Sequence, residues 1–370
     1  MGGDVIPPEV AALEDYVPLA RERLTAPAWA YVSGGAADEV TLRRNRTAFD
    51  QLLLRTRVLA DLRQGDTRLD LFGQSYDFPI LLAPVAYLKL AHPEGELAAV
   101  RGAAATDAGL VVSTHASVSL EQIAAGSPSK RLWFQLYVQP DREFTAGLVR
   151  RAEAAGYAAL VVTLDAPVGG QRNREQRARF GLPPGIEAVN TRELPPLPAY
   201  AGGRGGPLCG GILESALTWN DFDWVRSLTR LPILVKGIMN PEDAERAIQA
   251  GVDGLVVSNH GGRTLDTQPA AIEVLPEVAD RVRGRVPILF DSGIRRGTDV
   301  LKALALGAKA VLVGRPYVFA LAAAGSPGVA HVIQILRAEL EVAMALTGCR
   351  NLRAIDRSVL WKPAAARAMN

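Results

Sequence analysis

Eight short runs rich in Val, Ile and Leu, separated by helix-like stretches, constrain this chain more than any other feature. They fall at Phe78–Ala86, Gly109–Thr114, Leu132–Val138, Ala159–Asp165, Pro232–Ile238, Gly254–His260, Pro287–Ile294 and Ala310–Pro316. Each is apolar almost throughout rather than alternating, the pattern of parallel strands buried on both faces. Helix-like stretches follow at Glu94–Asp107, Asp141–Ala155, Pro241–Ala250 and Thr298–Leu306, and Gly109, Gly156, Gly251 and Gly307 read as helix stops. Eight buried strands alternating with helices predict an α/β fold, a (β/α)8 TIM barrel. A doubly wound open sheet is the alternative, disfavoured because no G-x-G-x-x-G follows the first run.

The whole chain, 1–370, reads as one domain. Residues 1–77 are expected to form a helical extension (Pro7–Leu24, Ala26–Val32, Ala37–Phe49) closing on a short hairpin near Leu53–Leu71 and packed on the barrel. The barrel is assigned to 78–347 and a tail to 348–370. Between the fourth run and a helix at Asn220–Thr229, residues 180–215 are crowded with Pro and Gly, either a substrate-gating lid or an insertion. The 41 basic and 39 acidic residues leave a net charge of +2, which gives no nucleic-acid signature. Cys209 and Cys349 are isolated, without metal-ligand spacing or a disulfide framework, so no metal and a reducing cytoplasm are expected. The N-terminus M-G-G-D-V-I-P-P-E-V lacks a signal-peptide pattern. No apolar run is expected to reach the roughly 20 residues of a membrane span.

Barrel active sites lie at the C-terminal ends of the strands, and here nearly every run ends on polar groups. The first four end in Pro84-Val85-Ala86, Ser113-Thr114-His115, Gln135-Leu136-Tyr137 and Thr163-Leu164-Asp165. The last four end in Lys236-Gly237, Ser258-Asn259-His260, Asp291-Ser292-Gly293-Ile294-Arg295 and Gly314-Arg315. The sixth delivers a histidine, two glycines and an arginine before any helix can start. His260 is a candidate proton acceptor, and Arg263 has the planar fork that grips a carboxylate. Gly261 and Gly262 let the backbone turn sharply. A base beside an anion clamp points to removal of a proton next to a carboxylate; the alternative is a barrel turn whose histidine caps a helix. Glycine with arginine at the seventh and eighth ends is where barrels commonly bind phosphate. Ser113, Gln135, Thr163, Lys236 and Ser258 mix donors and acceptors in a way suited to a heterocyclic ring. Phosphate anchor and hydrogen-bonding ledge together fit flavin mononucleotide (FMN).

The segments F-Q-L-Y-V (134–138), L-V-K-G-I (234–238), S-N-H-G-G-R (258–263), D-S-G-I-R-R-G-T-D-V (291–300) and V-G-R-P (313–316) carry a family resemblance. Over essentially its whole length the chain resembles the FMN-dependent L-2-hydroxy acid oxidases and dehydrogenases. The resemblance implies that Pro84, Val85 and Ala86 line the flavin near its reactive N5. Ser113, Gln135, Thr163 and Ser258 would hydrogen-bond its ring and ribityl chain, and Lys236 would sit by N1 and O2. Asp291, Ser292, Gly293, Ile294 and Arg295, with Gly314 and Arg315, would hold the ribityl chain and phosphate. Arg172 and Arg263 would clamp the substrate carboxylate, and Tyr137 would bond its hydroxyl or carboxylate. Asp165 would pair with His260, the base. The implied reaction is oxidation of an L-2-hydroxy acid to the 2-keto acid. Ala86, typical of oxidase members, implies O2 as acceptor and hydrogen peroxide as product; a dehydrogenase using a quinone is the alternative. The resemblance also favours a homotetramer. A flavin-free barrel lyase or isomerase, and a barrel holding FMN only structurally, are the readings from other classes.

Three positions depart from the family pattern. Ala30 stands where a tyrosine usually touches the substrate carboxylate, His115 where a tryptophan is frequent, and Gly169 where a bulky residue is usual. They predict a wider pocket with one anchoring hydroxyl fewer, hence a mandelate-like or long-chain substrate. His115 either bonds a polar substrate tail or packs. Arg43, Arg44 and Arg46 are expected on an exposed helix face, and Arg174 and Arg177 as lid-base or solvated charges.

Overall fold

The structure is a computed structural model that describes residues 4–129, 131–194, 213 and 216–361. The strands are β1 (Leu69–Leu71), β2 (Gln74–Tyr76), β3 (Ile80–Leu82), β4 (Gly109–Ser113), β5 (Leu132–Leu136), β6 (Leu160–Thr163), β7 (Ile233–Ile238), β8 (Gly254–Val257), β9 (Ile288–Phe290) and β10 (Ala310–Val313). Strands β3 to β10 pair in chain order, all parallel, and β10 closes on β3. This is the (β/α)8 barrel expected from the sequence. Every barrel strand lies inside its predicted run, but most stop short of its end. At the rim the ladder partners run out and the chain turns away, so Asp165 and His260 sit in loops just past their strands.

Side chains alternate along each strand, and the alternation builds the interior. Leu81, Val111, Trp133, Val161, Leu234, Val256, Leu289 and Leu312 point inward and form a buried cluster with Leu71 and Tyr76 of the β1–β2 hairpin. The hairpin plugs the N-terminal end of the barrel with apolar side chains, which leaves only the C-terminal rim free for chemistry. Their outward neighbours, such as Ile80, Leu110, Leu160 and Leu255, join the larger core shared with the helices.

Most helices follow the pattern with trimmed ends. Arg142–Ala154 is capped by the Asp141 carboxylate, which accepts from Phe144 N–H, and Pro241–Gln249 by Asn240. Glu96–Ala104 and Gly297–Ala305 match two further stretches. Gly156, Gly251 and Gly307 do take positive φ after their helices. Gly109 does not: it opens β4, and Asp107 makes the left-handed turn instead.

The N-terminal extension contains helices Tyr16–Arg23, Ala26–Ser33 and Val40–Gln51. The first is shorter than expected, because Asp15 accepts from the Ala11 and Ala12 N–H groups and holds the preceding turn out of the helix. The hairpin lies at Leu69–Tyr76, not at Leu53–Leu71; Leu54 and Asp66 instead make isolated bridges to Leu360 and Asn351 of the C-terminal segment. Another correction concerns Arg315–Thr347. This helix is long and apolar enough, by length and composition, to cross a membrane. It is nevertheless largely buried, kinks at Ala324–Gly325, and packs on Glu96–Ala104, Gly297–Ala305 and Tyr16–Arg23. Within the lid-like segment 180–215, positions 195–212, 214 and 215 lie outside the described residues, as do Cys209 and 362–370 of the tail.

Candidate active site

Nearly every barrel strand that points a core residue inward points the residue two further on into the mouth. Leu81 leads to Ala83, Val111 to Ser113, Trp133 to Gln135, Val161 to Thr163, Leu234 to Lys236, Leu289 to Asp291 and Leu312 to Gly314, while Ser258, two after Val256, is held by Lys236 beside the mouth. The strand period of two thus converts an apolar layer into a polar one. Above it opens a cavity of about 840 Å³, within the size range of sites for drug-sized ligands and cofactors. It is lined by Pro84, Val85 and Ala86 and by most of the residues expected in the site; Ser258 and Asp165 are instead hydrogen-bonded beside it.

The polar layer is tied together. Gln135 Nε2 donates to Thr163 Oγ1 at 3.0 Å. Lys236 Nζ donates to Ser258 Oγ at 2.8 Å and lies 3.1 Å from Asp291 Oδ2. Burial opposes the lysine's charge, but Asp291 and Asp165 outweigh it, so its pKa is raised and it stays a cation. Ser292 donates to Asp291 Oδ1 and accepts from Gly261 N–H.

His260 is held in the left-handed region, φ 57°, followed by Gly261 and Gly262 at 65° and 72°. Such a conformation is unusual for a side chain-bearing residue. It is fixed by His260 N–H donating to Ser258 Oγ and Gly262 N–H donating to the Asn259 carbonyl. The turn aims Nδ1 at Asp165 Oδ1, 2.8 Å away, and leaves Nε2 3.5 Å from the Tyr137 hydroxyl. Asp165 can approach because Gly237 has no side chain: a Cβ there would lie 2.4 Å from Asp165 Cβ. Burial raises the Asp165 pKa, yet His260 and Lys236 more than reverse this and hold it below its ordinary value. An ionised Asp165 fixes the Nδ1–H tautomer, which leaves Nε2 to accept a proton.

Arg263 and Arg172 flank this base. Arg263 donates to the carbonyls of Tyr31 and Gly34 and to Glu175 Oε1 at 3.0 Å. Arg315 donates to the carbonyls of Val32, Gly34 and Gly261. Both guanidinium groups thus cap the C-terminal end of helix Ala26–Ser33, where carbonyls lack partners and the helix dipole is negative. The N-terminal extension is therefore a structural part of the site. Arg172 lies 3.5 Å from Glu175, and its Nε is buried with no hydrogen-bond partner, as is Asp165 Oδ2, among the described residues. Glu175, between the two arginines, was not expected from the sequence; its spacing of three from Arg172 was the available signal.

The phosphate end is also cationic. Burial, then crowding by Arg263 and Arg295, pushes the Arg315 pKa well down. Arg295 is buried, pairs with Glu14 at 3.0 Å, and its pKa is likewise lowered by burial. Cations that burial and mutual repulsion destabilise call for an anion. A phosphate at this end, a hydrogen-bonding ledge in the middle and the Lys236 cation below match the parts of FMN. Arg46 departs from its expected exposed face: it donates to Gly293 O and Asp299 and braces this loop from outside. Arg44 does lie on an exposed face, paired with Glu273. Arg174 pairs with Glu39 and Ser33 and contributes no contact to the clamp.

Ala30 is corrected. It is buried in the core and does not line the cavity, whereas Tyr31 does. One residue is about 100° on a helix, so the docked helix turns position 31 to the mouth. There the Tyr31 ring lies under Arg263 and stacks on Phe180, 4.6 Å between centroids. Tyr31 therefore brings a phenol to the mouth that the sequence pattern did not place there. Gly169 does line the cavity, and a Cβ there would meet nothing within 4 Å. His115 lies between the rings of Tyr87 and Tyr137.

A closed barrel whose rim joins a histidine–carboxylate pair, two arginines and a buried lysine under a phosphate-ready loop defines a flavin-dependent oxidoreductase. Comparison with known proteins agrees. Residues 20–362 match the model of the FMN-dependent dehydrogenase family. An L-lactate oxidase of Nostoc sp. is 47% identical over 94% of this chain and 97% of its own length. Glycolate oxidase of Spinacia oleracea is 42% identical over 98% and 99%. A structure of mandelate oxidase with benzoyl-formic acid superposes with a TM-score of 0.85 at 43% identity, covering 94% of this chain and 97% of the other. The chain belongs to the FMN-dependent dehydrogenase family, on its 2-hydroxy-acid oxidase branch, and FMN is its cofactor.

Proposed function

We propose that the protein oxidises a bulky, mandelate-like L-2-hydroxy acid to the 2-keto acid, with O2 as acceptor and hydrogen peroxide as product. The carrying observation is the Asp165–His260 pair, whose Nε2 faces a cavity lined by two partly buried arginines, Arg172 and Arg263. Arg172 and Arg263 bind the substrate carboxylate, and the unpartnered Arg172 Nε is ready to donate to it. Tyr31 and Tyr137 orient the carboxylate and hydroxyl. His260 Nε2 takes a proton from the reacting carbon or its hydroxyl, and Asp165 stabilises the imidazolium that results. Lys236 sets a fixed positive charge where negative charge develops. FMN, bound by Ser113, Gln135, Thr163, Ser258, Asp291, Ser292, Gly293, Ile294, Arg295, Gly314 and Arg315 and flanked by Pro84, Val85 and Ala86, supplies the two-electron acceptor.

The bulky substrate is supported by the open space at Gly169 and by an arc of rings, Phe180, Tyr31, Tyr87, His115 and Tyr137, along one wall. A long aliphatic side chain is the second reading of the same space. Mandelate should bleach the flavin without oxygen and, once air returns, yield peroxide in step with the keto acid. Reduced enzyme that persists in air for minutes would overturn the oxidase reading in favour of a dehydrogenase. We extend the proposal to a cytoplasmic homotetramer. Exposed Val58, Leu59, Val342 and Leu346 offer apolar surface for assembly, and light scattering of the purified protein would detect a monomer.

A further inference from the structure

Glu175 lines the cavity and has no part in the proposed chemistry. It sits in the short helix Asn173–Arg177 that follows Arg172, and its carbonyl accepts from the N–H of Phe180, the residue whose ring stacks on Tyr31. Its carboxylate lies between the two arginines of the clamp. Oε1 is 3.0 Å from Arg263 Nη2, and both oxygens are 3.5 Å from Arg172 Nη1. Arg263 Nη1 is committed to the carbonyls of Tyr31 and Gly34. Among the described residues, Glu175 is the only carboxylate paired with either arginine. Other cations around the mouth have anions of their own: Lys236 has Asp291, and Arg295 has Glu14. The two clamp cations share one resident anion, so the clamp carries a net single positive charge.

We propose that Glu175 is a specificity-determining counter-ion: it matches the clamp to a single carboxylate, so that the mouth takes monoanionic acids and turns dianionic ones away. This rests on the assignment of Arg172 and Arg263 as the carboxylate clamp. Two guanidinium groups alone would suit a dianion. With Glu175 in place a monocarboxylate completes the balance, and a second ligand charge would enter the site uncompensated. The same carboxylate keeps two like charges side by side: burial, then Arg172, lowers the Arg263 pKa, and Glu175 counters both. Its side chain is 13% exposed, so salt and water screen it weakly. At an effective dielectric of 20, a unit charge about 7 Å away changes an ion's affinity by roughly 50-fold, and partial screening leaves about tenfold per ligand charge. Selectivity then comes from a built-in repulsion as much as from the arginines' attraction.

The test measures the binding of two unreactive acids to the oxidised holoenzyme, followed by flavin absorbance: phenylacetate, a monoanion, and phenylmalonate, a dianion at neutral pH. Both charges of phenylmalonate hang from one carbon, so both lie at the clamp. Glu175→Gln keeps the shape and an acceptor oxygen for Arg263 but removes the charge. It should tighten phenylacetate by about tenfold and phenylmalonate by about a hundredfold, moving the ratio of the two Kd values about tenfold toward the dianion. Glu175→Asp keeps the charge and should stay near the wild-type ratio. An unchanged ratio in Glu175→Gln, an equal shift in Glu175→Asp, or weaker binding of both acids makes Glu175 a mere brace for the arginines and overturns the proposal. Arg172→Met tests the clamp itself. It should lose most phenylacetate affinity, and binding at the wild-type level would sink the clamp assignment rather than the role of Glu175 alone.

Discussion

His115 should titrate near pH 4, and the consequence is large enough to measure. Burial among aromatic rings disfavours its charged form, taking the pKa from 6.5 to about 4. In the unfolded chain the same imidazole takes a proton near pH 6.5. Between these values the unfolded state binds the extra proton, so this group's stabilising contribution is fully present above pH 6.5 and fades as pH falls toward 4. Each pH unit of separation is worth about 1.36 kcal/mol, so the full effect is about 3 kcal/mol, and about 2.5 kcal/mol is already lost at pH 4.5. His115→Phe cannot protonate. The stability difference between wild type and variant, from urea unfolding, should therefore move by about 2.5 kcal/mol in the variant's favour between pH 7.5 and 4.5. Other titrating groups are common to both proteins and cancel. The chain has four histidines, few enough for NMR of labelled imidazole carbons to follow His115 directly. A midpoint at or above 6.5, with a stability difference independent of pH, would refute the claim that packing keeps this ring neutral.

Lys236→Met should cost about 3–5 kcal/mol, because it leaves Asp291 buried with, among the described residues, only the Ser292 hydroxyl as side-chain partner. Adding Asp291→Asn should return much of that loss in urea unfolding, and two additive losses would contradict the pairing. His260→Gln should keep FMN bound, since none of the proposed phosphate or ring contacts is its own, yet slow flavin reduction by about 10²- to 10⁴-fold in stopped flow; reduction at the wild-type rate rules out His260 as the base. Ala86→Gly should slow reoxidation by O2 more than reduction by substrate, and equal effects on both half-reactions would separate Ala86 from oxygen reactivity. Gly169→Leu fills space that is open, so kcat/KM should fall for mandelate and hold for lactate; parallel losses would place position 169 outside the substrate's side-chain pocket.

The parts of this molecule that could be read in advance depend on local periodicity, and the parts that could not depend on docking. Eight apolar runs announce eight buried strands, and the period of two then carries each strand from a core residue to a rim residue, as from Val161 to Thr163 or Leu234 to Lys236. No contact between distant segments is needed for that step, which is why the polar ledge was legible. Position 31 shows the opposite case. Which residue of helix Ala26–Ser33 faces the mouth depends on how the helix seats, and Arg263 and Arg315 set that seat by holding its terminal carbonyls from more than two hundred residues away. A shift of one residue turns a helix by about 100°, enough to exchange Ala30 for Tyr31. The same distance in sequence hid Arg46 behind the Gly293 loop and Glu14 beside Arg295. Each of these unread contacts comes from the N-terminal extension. The rim chemistry is encoded strand by strand, but the arginines that give it a grip on anions are set by a segment outside the barrel repeat. Substitutions in the extension should therefore alter anion binding sooner than they alter the barrel.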